Sequence, residues 1–220
     1  TGGRVIFSHV RVGGVNRDVD KEQLRIMRDT LEGLKEDYGK LCNAFLKDSS
    51  VNNRLRGVGV ISQQEAWDAG MVGPFARASN VNNDVRCLRN GGYRYLQDFQ
   101  PILDTDGDCY ARVKVRALEV LQSIDIIEEL MDSLPDGDIS CTVKGPVPDG
   151  AQACNTLEQP RGECYYYALG NGTKYLERMR MRTPTSMNLA GMTNALAGCD
   201  LADVNMIVLT IDPCISCTER

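Results

Sequence analysis

The feature that most limits what this chain can become is a pair of long apolar stripes. Leu24, Met27, Leu31, Leu34, Tyr38, Leu41 and Phe45 recur at alternating spacings of three and four, the period that keeps side chains on one side of an α-helix. The spacing predicts a helix over residues 19–47. Asp18 or Asp20 can cap its start, and acidic residues there suit the positive end of the helix dipole. Tyr110, Val113, Ala117, Val120, Ile124, Ile127 and Met131 repeat the pattern, and this second helix must stop before Pro135-Asp136-Gly137. Two helices of about seven turns each need partners for their apolar sides. A mainly α fold of long packed helices follows.

Elsewhere no period holds for long. Gly, Asn, Asp and Ser recur from 48 to 101, which predicts short helices and loops. Asp104-Thr105-Asp106-Gly107-Asp108 resembles a calcium loop, but its Gly falls at the fourth position and no Glu closes the motif; it reads as a turn that caps the second helix. Residues 134–150 form a loop rich in Gly, Pro and Asp. Too little chain follows for a second core, so 1–220 reads as one domain. Small β elements complete the fold: a strand over 4–9 leading to a turn at Gly13-Gly14, and a β-hairpin of 163–169 and 174–182 around Asn171-Gly172. The second arm alternates Arg178, Arg180 and Arg182 with Met179 and Met181, a stripe that reads as solvated or facing another subunit. A last helix over 187–200 precedes an apolar stretch, Val204–Ile211.

Thirty acidic residues against twenty-five basic ones give a net charge of −5 and a pI near 5.0. Such a field repels phosphate backbones, which argues against nucleic acid as a partner. No apolar run reaches the roughly 18–20 residues that span a bilayer, since 202–211 is broken by Asp203 and Asn205. The nine cysteines are odd in number, no signal peptide precedes Thr1, and a start at Thr reads as a cleaved or incomplete chain. Reduced thiols in a cytoplasmic setting are expected. His9, the only histidine, reads as hydrogen-bonded in the fold in preference to a proton relay.

Two hexapeptides carry chemistry. In Asp212-Pro213-Cys214-Ile215-Ser216-Cys217, a tight turn can bring both sulfurs within about 4 Å to share one metal, and soft thiolates select zinc, nickel or iron. The pair alone is ambiguous, because a zinc ribbon needs a second Cys-x-x-Cys and the other seven cysteines supply none. In Gln159-Pro160-Arg161-Gly162-Glu163-Cys164, a turn at the start of a strand can hold a guanidinium over a reaction site. By itself this hexapeptide reads as a surface arginine in a salt bridge.

Joined by His9-Val10-Arg11-Val12-Gly13-Gly14-Val15, Gly107-Asp108-Cys109-Tyr110-Ala111-Arg112-Val113, Gln122-Ser123, and Arg182-Thr183-Pro184-Thr185 with Asn188, these motifs resemble the catalytic large subunit of nickel-iron hydrogenases. The likeness is to the membrane-bound energy-converting (Ech-type) group, which is related to the quinone-site subunit of respiratory complex I, and it runs over nearly the whole chain. Its most specific part is the run from Asp212 to Arg220, whose two thiols complex I homologues are not expected to keep. The resemblance implies that Cys214 is a terminal thiolate on nickel and that Cys217 bridges nickel to an iron carrying carbon monoxide and cyanide. It implies that Arg161 and Asp212 form an outer canopy in metal-assisted heterolytic cleavage of hydrogen. Thr185 would donate a hydrogen bond to a cyanide, Pro160 would line the same pocket, and Glu163 is the candidate proton carrier.

The family uses four cysteines, with the first pair in an upstream Cys-x-x-Cys motif that this sequence does not contain. The missing part is therefore expected to be lost from this sequence or supplied by a separate polypeptide. Arg220, three residues beyond Cys217, matches the position after which a maturation protease cuts and implies a processed C-terminus. Other hydrogenase groups carry there a His that binds a second divalent metal, so magnesium stays open. The implied partners are an iron-sulfur small subunit with its Fe-S clusters, the polypeptide carrying the N-terminal Cys-x-x-Cys, membrane subunits, and ferredoxin. The implied location is cytoplasmic, peripheral on the inner face of the membrane. The alternatives are a complex I-like or assembly subunit without hydrogenase activity, and a structural zinc-binding protein.

Overall fold

The computed structural model describes residues 9–88, 91–96 and 98–219. Both stripes are helices, α1 over Lys21–Lys47 and, after three short helices, α5 over Cys109–Asp132. A reciprocal capping box opens α1: the Asp20 carboxylate accepts from the Gln23 N–H, and the Gln23 side chain accepts from the Asp20 N–H. Asp108 opens α5, accepting from the N–H groups of Ala111 and Gly57, so the acidic turn is the cap its sequence suggested. The two helices run antiparallel. Arg28 meets Asp132, Lys35 meets Asp125 and Glu128, and the Tyr110 hydroxyl donates to the Leu46 carbonyl.

The first stripe does not stay on the inward side along its whole length. Past Leu31 the better-covered positions are Tyr38, Cys42 and Leu46, while Leu34, Leu41 and Phe45 are exposed. A seven-residue repeat drifts about 20° per heptad on a straight helix, which carries the later residues onto a flank. There Leu41 and Phe45 line an apolar groove of 520 Å³ with Val120 of α5.

The segment between the long helices forms the short pieces expected of it: α2 (Ser49–Leu55), α3 (Gln63–Asp68), α4 (Gly73–Arg77) and 3₁₀ turns at Val85–Leu88 and Gly91–Tyr95. Leu55, Ile61, Met71 and Phe75 from this region close on Cys109 and Tyr110 of α5, and on Ile207 and Ile211 of a later helix, to make the main core. Each large apolar side chain buried there contributes roughly 1.5–3 kcal/mol. This core is the platform on which the C-terminal turn sits.

Two small antiparallel sheets complete the architecture. β1 (Val10–Arg11) pairs with β2 (Gly14–Val15), and the loop after α5 pins them: Val15 N–H donates to Ile139 O, and Cys141 N–H to Gly13 O. The expected strand at 4–9 lies outside the described residues except for His9, which sits at a bend. The expected hairpin is a three-stranded sheet, β3 (Gln152–Gln159), β4 (Gly162–Gly170) and β5 (Leu176–Arg182), with β4 in the middle. Its extra strand, Gln-Ala-Cys-Asn-Thr-Leu-Glu-Gln, has too few branched apolar residues to show a period of two. Helix α6 spans Pro184–Leu196 instead of 187–200, because proline is suited to a first helical turn, where its missing N–H is not needed. The apolar stretch is helix α7 (Val204–Ile211), and a short α8 (Ile215–Thr218) follows.

Candidate metal centre

The thiol pair sits on a turn that its neighbours hold from three sides. α7 ends at Asp212 in the left-handed conformation, φ 60 and ψ 56, which costs a non-glycine residue roughly 1–2 kcal/mol. Pro213 has no N–H to continue the helix, and Cys214 becomes the N-cap of α8. Arg161 stabilises this reversal: its Nε donates to the Asp212 carbonyl at 2.8 Å and its Nη2 to Asp212 Oδ1 at 3.0 Å. From below, Arg116 of α5 donates to the carbonyls of Thr210 and Ile211, which would otherwise be orphaned at the end of α7. From the side, the Thr183 hydroxyl donates to the Cys217 carbonyl at 2.7 Å, and Thr185 Oγ1 accepts the Cys214 N–H at 3.1 Å.

Arg161 is itself fixed by a crossing of two glycines. At Gly73, which opens α4 with φ 70, an added Cβ would stand 2.3 Å from the Arg161 carbonyl oxygen. At Gly162, with φ 128, it would stand 2.7 Å from the Gly73 nitrogen. Only glycine permits both backbones to approach so closely. The packing of α4 against the start of β4 thus sets where the guanidinium emerges.

Electrostatics separate the two thiols. The Cys214 thiol is held down to about 7, first by its hydrogen bond with the Ser216 hydroxyl, then by the thiol and N–H of Cys217, with the positive charge of Arg161 adding to it. Burial pushes the Cys217 thiol up, and its neighbour Cys214 adds to the rise. One sulfur is thus inclined to the thiolate form that binds metal. The Arg161–Asp212 pair beside it keeps 35% and 42% of its side-chain surface exposed, so it faces solvent or a further partner.

Among the described residues, no three or more of His, Cys, Asp and Glu are grouped to hold a metal ion. The turn supplies two soft donors with a cation and an anion beside them. That fits half of a four-thiolate set and does not complete a zinc site.

Pro160 and Asp212 line a cleft of 300 Å³ together with Arg116, Glu119 and Glu158. Glu163 lies apart from this group. Its carboxylate pairs with Arg182 at 3.0 Å and faces a separate cleft with Trp67 and Met187. The structure therefore gathers Pro160, Arg161, Thr185, Asp212, Cys214 and Cys217, and sets Glu163 on another side. Arg220 lies outside the described residues.

Sequence reasoning missed Thr183, although it stands inside a motif already singled out. It also missed Arg116, which lies on a helix where periodicity marks only apolar positions. A third omission is a buried ionic knot behind the cleft. Arg77 is 1% exposed and meets Glu119 at 2.7 Å, Glu158 at 2.9 Å and Asp84 at 3.1 Å, and Asp84 also binds Arg86 at 2.6 Å. Burial pushes the Glu158 carboxyl up, against the pull of Arg77. A charged residue ending the apolar run Gly-Pro-Phe-Ala-Arg was the available signal.

The fold is that of a subunit related to respiratory complex I. The chain belongs to the family of the respiratory-chain NADH dehydrogenase 49 kDa subunit, whose model matches residues 1–146 and 138–220. It is 36% identical over 220 residues to the carbon monoxide-induced hydrogenase of Rhodospirillum rubrum, covering all of this chain and 61% of that protein. It is 34% identical over 236 residues to the membrane-bound hydrogenase subunit alpha of Pyrococcus furiosus, covering all of this chain and 55% of that one. A solved structure, that of the membrane-bound sulfane sulfur reductase, an archaeal respiratory membrane complex, superposes with a TM-score of 0.84 at 31% identity, over 94% of this chain and 58% of its counterpart. The chain thus spans a little over half the length of these relatives. No helix among the described residues is long and apolar enough to cross a membrane.

Proposed function

We propose that this chain forms the part of an energy-converting nickel-iron hydrogenase catalytic subunit that holds one of the two thiol pairs of its metal centre. The observation that carries the reading is the fastening of Cys214 and Cys217 on one turn beside the Arg161–Asp212 pair. When bound, a nickel-iron centre with carbon monoxide and cyanide ligands supplies the heterolytic activation of hydrogen.

This chain's residues then have definite tasks. Cys214 and Cys217 hold the metals. Arg161 keeps Asp212 oriented, and the Asp212 carboxylate can accept and release a proton at its free oxygen. Thr185 uses its oxygen to accept the Cys214 N–H, which leaves its hydroxyl proton able to donate to a diatomic ligand. Pro160 lines the cleft that Asp212 also borders and adds no competing donor there. In this reading the second thiol pair comes from another stretch of polypeptide. Fe-S clusters of a small subunit would connect the centre to ferredoxin, this chain would lie on the cytoplasmic face, and membrane subunits would supply the coupling to ion movement.

The rival reading is a complex I-like subunit without hydrogenase activity, favoured by the breadth of the family itself. Metal analysis and infrared spectroscopy of the purified complex separate the two. Nickel, with cyanide and carbon monoxide bands in the infrared, is expected alongside the iron of the clusters; a complex free of nickel and of those bands refutes the proposal, and zinc in their place selects the structural-zinc alternative. Arg161→Lys should lower hydrogen turnover by about 10²–10³-fold while both metals stay bound. Unchanged turnover would remove Arg161 from the mechanism.

A further inference from the structure

The outer strand of the three-stranded sheet has one free edge and two contrasting sides. β5 is hydrogen-bonded to β4 alone, and among the described residues no other backbone group bonds to it. On one side Arg182, Arg180 and Arg178 stand opposite Tyr165, Tyr167 and Leu169 of β4, and the Arg182 guanidinium lies 5.7 Å from the centre of the Tyr165 ring. Arg178 and Arg180 are exposed and have no ion pair among the described residues. On the other side Met179 and Met181 stand opposite Ala168 and Tyr166, with Met179 50% exposed.

An unpaired strand edge is a template for another strand, and natural proteins usually block it. Here the edge is flanked by arginine and tyrosine, the residues richest in interface energy, on a protein whose net charge is negative. We propose that β5 is a docking edge for an extended, acidic segment of a partner subunit, which adds a fourth strand to the sheet. Strand addition supplies main-chain hydrogen bonds, and alternate side chains set specificity. The incoming segment should carry Asp or Glu two residues apart, against Arg178 and Arg180, since Arg182 already pairs with Glu163, and apolar residues against Met179 and Met181. A second copy of this chain does not fit, because pairing β5 with β5 would set arginine against arginine.

The inference is independent of the metal centre, and its test reads no hydrogen chemistry. The chain is compared free and in its purified complex by hydrogen exchange. Amides of Leu176–Arg182 on the open edge should exchange at least about tenfold more slowly in the complex. A photoreactive benzoylphenylalanine at Met179 should cross-link to a subunit segment with the acidic-apolar alternation, and R178E/R180E should cut that yield about tenfold. Both arginines are exposed, so a circular-dichroism melt matching the parent confirms that the variant is folded. Unprotected edge amides in the complex overturn the proposal. So does a cross-link to a helix, to a second copy, or to lipid, and so does binding of phosphatidylglycerol vesicles through the same arginines without amide protection.

Discussion

Behind the thiol turn, Arg77 is 1% exposed and meets three carboxylates; on β5, Arg178 and Arg180 are exposed and meet none among the described residues. The side chain is the same in both places, and its surroundings decide its task. A buried guanidinium cannot be removed without stranding the charges it neutralises, whereas an exposed one is already solvated and is free to meet something else. The knot around Arg77 therefore belongs to the fold, and the stripe on β5 to recognition. Each of the following experiments would break or sharpen that contrast.

The largest effect is expected at Arg77. Arg77→Ala leaves Asp84, Glu119 and Glu158 close together without their shared cation, and should lower the unfolding free energy by about 3–5 kcal/mol in a urea titration. A loss below about 1 kcal/mol would show that the knot is open to water. Arg116→Met is expected to cost less, about 1–3 kcal/mol, because it strands the carbonyls of Thr210 and Ile211 but no buried anion. It should also loosen the turn that follows, seen as faster alkylation of Cys214 in the metal-free chain than in the parent.

These two residues show where the sequence is silent. The helix pair and the caps at Asp20 and Asp108 are local: spacing and side-chain chemistry within a few residues determine them. The thiol pair and Arg161 stand in short motifs and can be picked out one by one. Their convergence cannot, because Arg161 and Asp212 are 51 residues apart and meet only through the crossing of Gly73 with Gly162. The burial of Arg77 depends likewise on carboxylates from α5 and β3, and β3 has no apolar alternation to announce it. Leu41 and Phe45 fail in the opposite sense. Their spacing is helical, yet helical drift leaves them on a groove instead of in the core.

A pH-dependent test probes an intermediate case, Asp104, whose side chain is 7% exposed and bonded to Lys114 at 2.8 Å. Burial pushes its carboxyl up, but Lys114 and the N–H groups of Asp106 and Thr105 outweigh this and hold it below the ordinary range. A carboxyl depressed in the folded state adds stability above its unfolded pKa of about 3.9, and that stability is lost as pH falls through the folded value. Lys114→Met should therefore be less stable than the parent by about 1 kcal/mol at pH 7, the modest size reflecting the half-exposed lysine. The gap should close below about pH 4, where Asp104 is neutral on unfolding. Urea titrations across this range check it, and a gap that widens in acid reverses the assigned sign.

The smallest effect is expected on β5. Arg178 and Arg180 point to the same side of an extended strand at i and i+2, a separation of about 7 Å, which is within the screening length of about 10 Å at 0.1 M salt. Two unpaired like charges at that distance repel weakly, so Arg178→Ala with Arg180→Ala should change the unfolding free energy by no more than about 0.5 kcal/mol. The change should be slightly stabilising at low salt and vanish near 1 M, where the screening length falls to about 3 Å. Melts at the two salt concentrations measure it. A destabilisation above about 1 kcal/mol that persists in high salt would mean that the guanidinium stems are packed on Tyr167 and Leu169 as part of this chain's own fold. The stripe would then resemble the knot around Arg77, and the division between structural and recognition arginines would fail.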